Sequence, residues 1–175
     1  MWYLVGFKGC GKSAAGRRLA ELLGQEFVDL DAEIERVYAE AAGKRLPFRQ
    51  IYRELGDGPF RELERRTLEQ LRESERALVA VGGGTPLVAA NRRRMKETGR
   101  VVYIQVEPDE LYRRIMAEGA PAFFVSDDPR KEFDSLYAER VGVYEAMADL
   151  TVDTTGLGIE ESAQKIYEVL TGSNE

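Results

Sequence analysis

The sequence predicts an α/β protein built on a parallel β-sheet, and three observations carry that reading. Five short runs, "WYLV" (2–5), "FVDL" (27–30), "ALVAV" (77–81), "VVYIQV" (101–106) and "LTVDT" (150–154), read as strands. All but the second are nearly continuously apolar, or rich in β-branched and aromatic residues, as strands covered on both faces should be. Helical patterns with start and stop signals lie between them, and strands alternating with helices form a parallel sheet. A glycine-rich loop joins the first strand to the first helix. With 175 residues, 43% hydrophobic and 32% charged, the chain is expected to fold as one domain over 1–175 with a core of its own.

The elements follow in order. "GKSAAGRRLAELLG" sets Ala15, Leu19, Leu22 and Leu23 near one face and stops at Gly24. "DAEIERVYAEAAG" opens on an acidic cap and ends at Gly43. Residues 44–76 look helical, and within them Pro59 stands where a first helical residue would sit. "NRRRMK" (91–96) reads as the solvated face of a helix rather than a nucleic-acid site. "PDELYRRIMAEG", "EFDSLYAERVGVYEAMA" and "GIEESAQKIYEVL" supply the remaining helices. Trp2 is expected in the core or near the sheet edge, and Met147 in the core. One stretch breaks the pattern. "AEGAPAFFVSDDPRKE" (117–132) has the glycine, prolines and Asp pair of a loop, yet carries Phe123, Phe124 and Val125 in a row.

Composition excludes several function classes. The net charge of −6 gives no global attraction to nucleic acid or to an anionic membrane, so any anion site must be local. There is no histidine, which removes His-based acid–base chemistry, Ser-His and Cys-His triads and His-ligated zinc. Cys10 is the only cysteine, so no internal disulfide forms, which suits a reducing cytosol. No apolar run is long enough to span a membrane, and the N-terminus lacks signal-peptide features. A cytoplasmic monomer is the expectation.

"GFKGCGKS", Gly6 to Ser13, satisfies G-x-x-x-x-G-K-[ST] and lies between a strand and a helix start. Gly6, Gly9 and Gly11 let backbone N–H groups converge on one anion, and the helix N-terminus adds its dipole. Lys12 supplies a mobile cation to the β- and γ-phosphates, and Ser13 a hydroxyl to Mg²⁺. Cys10 and Ala14 complete the nucleotide-binding stretch, with Cys10 a small filler rather than a reactive thiol.

Three clusters speak to the acceptor. Asp29 and Asp31, two apart at a strand end, can face the ligand crevice, although Asp31 could instead cap the following helix. Arg61 and Glu64 stand at i,i+3 on one helix face, the spacing of an ordinary surface ion pair. Gly82, Gly83 and Gly84 follow a strand, and three glycines in a row imply that backbone approaches something closely.

Taken together, "GFKGCGKS…GRRLA", "FVDLDAEIE", "IYRELGDGPFRELE", "VGGG" and "AERVGVYEAMADLTVDT" resemble the shikimate kinase family, in order and spacing, over nearly the whole chain. The resemblance implies a three-layer α/β/α P-loop kinase fold with a five-stranded parallel sheet and a mobile lid at 117–132. It also implies transfer of the γ-phosphoryl of ATP to the 3-hydroxyl of shikimate, in aromatic amino-acid biosynthesis, with Mg²⁺. Lys12 and Ser13 would bind phosphates and metal, and Asp29 would hold Mg²⁺ through water. Asp31 would accept from the shikimate hydroxyls and help take the proton. Arg61 and Arg140 would clamp the carboxylate, with Tyr144 bracing Arg140. Gly83 within the triplet Gly82–Gly84 would admit the ligand, Glu64 would orient Arg61 or touch a hydroxyl, and Arg113 would stack on adenine. Residues 44–76 would form the acceptor-binding segment. Phosphoryl transfer relies on positioning and charge neutralisation, so the lack of histidine is no obstacle.

The match departs from the family at three places. Ala120 stands before Pro121 where the lid arginine is expected, Asp57 replaces a Glu, and two residues are inserted around "RLPF". Arg130 and Lys131, on the far side of the lid, are the candidate replacements for the missing charge, with Arg114 a third. Because of Ala120, two other readings stay open: a shikimate-binding protein with little catalysis, and a kinase of another small hydroxy acid.

Overall fold

The computed structural model describes residues 1–71, 77–119 and 127–172. The chain runs β1 (Trp2–Val5), α1 (Lys12–Leu23), β2 (Glu26–Asp29), α2 (Leu30–Ala42), α3 (Phe48–Leu55), α4 (Asp57–Gln70) and β3 (Ala77–Ala80). A 3₁₀ turn (Thr85–Leu87) follows, then α5 (Ala89–Thr98), β4 (Arg100–Gln105), α6 (Pro108–Ala117), α7 (Pro129–Met147), β5 (Leu150–Asp153) and α8 (Ile159–Thr171). The five strands form one sheet in the order β2-β3-β1-β4-β5, every pair parallel. In the central strand Tyr3 pairs with Val79 on one side and Val101 on the other. Consecutive residues Tyr3, Leu4 and Val5 are all buried, and so are Val101, Val102, Tyr103 and Ile104. Neighbours that point to opposite faces can all be buried only if helices cover both sides of the sheet, which is why these runs read as unbroken apolar text. Met147 is in the core, and Trp2 is half-buried, with the Arg100 guanidinium 5.0 Å from its ring.

Several boundaries differ from expectation, each for a local reason. Leu30 belongs to α2 and not to β2. Asp29 is the cap: its carboxylate accepts the N–H of Asp31 at 3.1 Å, which starts the helix one residue before the acidic pair ends. α4 begins at Asp57, two residues ahead of Pro59. Proline is tolerated there because first-turn N–H groups have no partner inside the helix. Residues 44–70 hold two helices, α3 and α4, broken at Gly56 with φ 73°. α7 starts at Pro129, where Asp128 caps the N–H of Lys131 at 3.1 Å, so Arg130 and Lys131 lie in its first turn, and Ala117 closes α6. Residues 120–126, which include Ala120, Pro121, Phe123, Phe124 and Val125, lie outside the described residues, as do 72–76. Among the described residues no helix is long and apolar enough to cross a membrane.

Candidate active site

The loop after β1 packs too tightly for a side chain. A Cβ on Gly6 would come within 2.7 Å of the Ile104 carbonyl oxygen and 2.9 Å of Cys10 Sγ, and Gly6 sits at φ 154°. Gly9 and Gly11 also take positive φ, and Gly11 precedes α1 without a side-chain cap, so the first N–H groups of α1 stay available to an anion. Lys12 Nζ donates to the carbonyls of Gly6 at 2.7 Å and Phe7 at 3.0 Å, and lies 3.5 Å from Cys10 Sγ. The ammonium is thus held over the loop on weak neutral acceptors that a phosphate would outcompete. Ser13 and Ala14 are exposed at the start of α1, whereas Cys10 is buried as a filler.

At the end of β2 the two aspartates have different tasks. Asp29 caps α2. Asp31 is therefore not the cap but a residue of the first helical turn, and its Oδ1 is buried with no hydrogen-bond partner. Burial, together with the Asp29 charge, pushes its carboxyl up to about 6, only partly offset by Lys12. Lys12, Ser13, Asp29, Asp31, Gly82 and Gly83 line one cleft of about 310 Å³, with Lys8 and Glu118 also on its wall. A larger groove of about 710 Å³ runs between α2 and residues 43–47 but contains none of the phosphate-loop residues. The loop, the orphaned carboxylate and two of the three glycines meet in the smaller cleft.

Gly82 and Gly83 form the third wall, while Gly84, Arg61 and Arg140 lie outside the cleft lining. A Cβ on Gly82 would lie 3.0 Å from Asp31 Oδ1, one on Gly83 3.6 Å from Arg140 Nη1, and one on Gly84 3.0 Å from Arg61 Nη2. The triplet thus brings the aspartate and both arginines against one stretch of bare backbone. Arg140 rests over the Phe7 ring at 5.4 Å and its Nε is buried without a partner. Tyr144 donates its hydroxyl to the Gly83 carbonyl at 2.6 Å. The Arg61–Glu64 pair is not the surface pair its spacing suggests. Glu64 is 1% exposed and also accepts from Thr85 Oγ1 at 2.8 Å. Asp57 reaches Arg61 Nε at 3.4 Å.

The candidate lid cations fare differently. Arg130 pairs with Asp109 at 2.7 Å and Asp134 at 2.9 Å and lies over the Tyr112 ring, outside the residues lining the cleft. Arg114 is taken up by Glu110. Lys131 and Arg113 are exposed and do not line the cleft. Sequence reasoning did not single out Arg49, which sits next to Phe48, whose N–H donates to Glu35 at 2.6 Å at the start of α3. Burial and the nearby Arg49 charge lower the pKa of Lys8, partly opposed by Glu118. Thr85 and Asn91 were missed too. Asn91 begins the basic "NRRRMK" run, and its full burial shows that this helix face is not wholly solvated.

Oxygen donors dominate the place where a metal would sit. The Ser13 hydroxyl and the Asp29 carboxylate share the cleft with the partnerless Asp31 oxygen, a hard-ligand set that fits Mg²⁺. Among the described residues no group of three or more carboxylates or cysteines could hold a metal unaided.

A strand, a glycine loop, a lysine and a helix N-terminus beside an acidic cleft define a phosphate-loop kinase. The family model for shikimate kinase matches residues 8–171. A shikimate kinase of Persephonella marina is 38% identical over 154 residues, covering 88% of each chain. One from Synechococcus sp. is 37% identical over 171 residues, 97% of this chain and 84% of that one. The solved shikimate kinase of Acinetobacter baumannii, in complex with shikimate, superposes with a TM-score of 0.84 at 32% identity, over 99% of this chain and 93% of that one. The chain belongs to the shikimate kinase family.

Proposed function

We propose that the protein transfers the γ-phosphoryl group of ATP to the 3-hydroxyl of shikimate. The observation that carries this reading is Asp31. Its buried oxygen without a partner lies between the phosphate loop on one side and Gly82 on the other. Arg61 and Arg140 flank the same glycines and match an acceptor with a carboxylate at one end and hydroxyls at the other.

In this reading the loop N–H groups and Lys12 hold the triphosphate, and Arg113 on α6 lies against the adenine. Ser13 and, through water, Asp29 would hold Mg²⁺, which would neutralise charge on the phosphates. Arg61 and Arg140 fix the acceptor carboxylate, so its 3-hydroxyl points at the γ-phosphorus. The hydroxyl oxygen forms the new P–O bond as the bond to the β,γ-bridging oxygen breaks. The hydroxyl proton passes to Asp31, and ADP leaves with the bridging electrons. A carboxyl titrating about 6 is ionised at neutral pH and a better proton acceptor than an ordinary aspartate. Arg130 is held by two carboxylates, so Lys131 is the lid-side cation left to approach the γ-phosphate. The lone Cys10 and the absence of disulfides suit a reducing cytosol.

Relatives named as shikimate kinases at 34–38% identity favour catalysis over binding alone. The test is Asp31→Asn assayed beside the parent with ATP, Mg²⁺ and shikimate. The reading expects turnover to fall at least about 10²-fold, the scale of a positioned acid–base group, with ADP binding kept. Parent protein that binds shikimate but releases no ADP would favour the binding-only reading.

A further inference from the structure

Glu64 is 1% exposed, and an ionised carboxylate at such a site is costly unless its lone pairs are filled. Arg61 fills them only in part. A single nitrogen, Nη1, reaches both carboxylate oxygens, at 3.2 and 3.1 Å. The remaining positions are taken by neutral donors. Thr85 Oγ1 donates to Oε1 at 2.8 Å and Asn91 Nδ2 lies 3.4 Å from Oε2, while also donating to the Thr85 carbonyl at 3.1 Å. Thr85 and Asn91 are both fully buried. Arg61 Nε lies 3.4 Å from Asp57, and Arg61 Nη2 makes no bond to Glu64; the guanidinium lies flat against Gly84, Nη2 at 3.0 Å and Nη1 at 3.1 Å from where a Cβ would be. Gly84 is the residue before Thr85, so one turn of backbone fixes both the hydroxyl that satisfies Glu64 and the glycine that faces the guanidinium. Arg92 clamps that turn to α5 by donating to the Pro86 carbonyl at 2.6 Å and the Leu87 carbonyl at 2.9 Å.

We infer that Thr85 and Asn91 are positioning residues for the acceptor carboxylate: they occupy lone pairs of Glu64 so that Arg61 is gripped through one nitrogen and keeps Nη2 for the ligand. Neither residue touches a reacting atom. If their donors are removed, Glu64 satisfies itself by a two-nitrogen fork from Arg61, the strongest geometry available to that pair. The fork then turns away from Gly84.

The inference rests on the reading that Arg61 binds the acceptor carboxylate, and the experiment separates the two. Thr85→Val keeps the shape and removes the hydroxyl, whereas Thr85→Ser restores it. Steady-state constants for both substrates and thermal midpoints are measured for each variant and for Arg61→Ala. Thr85→Val is expected to raise the shikimate KM about tenfold while the ATP KM stays within about twofold, and Thr85→Ser to recover most of the loss. If Thr85→Val does not fold, Thr85→Ala carries the same comparison. An unchanged shikimate KM in the folded variant overturns the inference. So does an equal rise in both KM values, or a Ser variant as impaired as Val, because a merely structural role predicts those. Should Arg61→Ala itself leave shikimate binding intact, the parent reading fails and this one with it. If Arg61→Ala weakens binding but Thr85→Val does not, the positioning role alone is lost.

Discussion

The hydroxyl of Tyr144 donates to the carbonyl oxygen of Gly83 at 2.6 Å, tying α7 to the middle of the glycine triplet. Arg140 lies one turn earlier on the same helix and abuts the same glycine. The bond therefore sets the spacing between the guanidinium and the backbone that would face the acceptor. Its partner hydroxyl is fully buried, and burial holds its pKa well above the usual phenol value, so it donates at every working pH.

Tyr144→Phe keeps the ring packed near Tyr103, 5.5 Å between centroids, and leaves the Gly83 carbonyl unpaired. The expected cost is about 1–2 kcal/mol in chemical denaturation. The shikimate KM should rise several-fold while the ATP KM holds. A variant with both KM values unchanged would show that this bond does not position the clamp.

The Asp31 carboxyl links pH to stability with a definite sign. Its carboxyl is raised from 3.8 to about 6, so between those values the folded chain keeps a proton that the unfolded chain gives up. Stability from this group is fully present below about pH 4 and is lost as pH rises through about 6. A two-unit shift corresponds to roughly 3 kcal/mol at most. Asp31→Asn, without activity, should therefore be more stable than the parent by about 1–3 kcal/mol at pH 8 in the presence of a chelator. The gain should shrink below about pH 5. Denaturation curves at the two pH values decide it, and a gain independent of pH would assign the effect to something other than Asp31 ionisation.

The cations at the lid side should separate in mutagenesis. Arg130 already answers Asp109 and Asp134, so Arg130→Ala is expected to change kcat by less than about threefold, as for exposed, already paired charges. Lys131→Ala should cost more than about tenfold in kcat if Lys131 is the group that meets the γ-phosphate, since charge at that point is worth several powers of ten in related nucleotide enzymes. The reverse order of effects would mean that Arg130 leaves its carboxylates during turnover.

Metal dependence is expected to be strict. The cleft offers Asp29, Asp31 and the Ser13 hydroxyl but no self-sufficient cluster among the described residues. Chelation should then abolish turnover and leave the thermal midpoint of the nucleotide-free protein within about 1 °C, because no structural site is emptied. A large fall in that midpoint would reveal a resident metal.

Strand positions were legible to within about a residue, because buried parallel strands announce themselves as apolar runs and glycines stop α1 and α2 at Gly24 and Gly43. The division of labour between Asp29 and Asp31 was not. Either side chain can cap a helix, and one hydrogen bond to the Asp31 N–H decides it. The burial of Glu64 was hidden for a different reason. An i,i+3 pair looks alike on a surface or under a neighbour, and it is the Thr85–Leu87 turn and Asn91 of α5 that close over it. The pairing of Arg130 with Asp109 joins α7 to α6 and leaves no trace in local spacing.

The Asp31 cleft is expected to couple ATP to a carboxylate-bearing triol. Purified protein incubated with ATP, Mg²⁺ and shikimate, followed by ADP release and by the position of the new phosphate, tests it most directly. ADP and 3-phosphorylated shikimate are expected in equal amounts, both lost in Asp31→Asn. ADP release no faster than without shikimate, from protein that still binds shikimate, would contradict it.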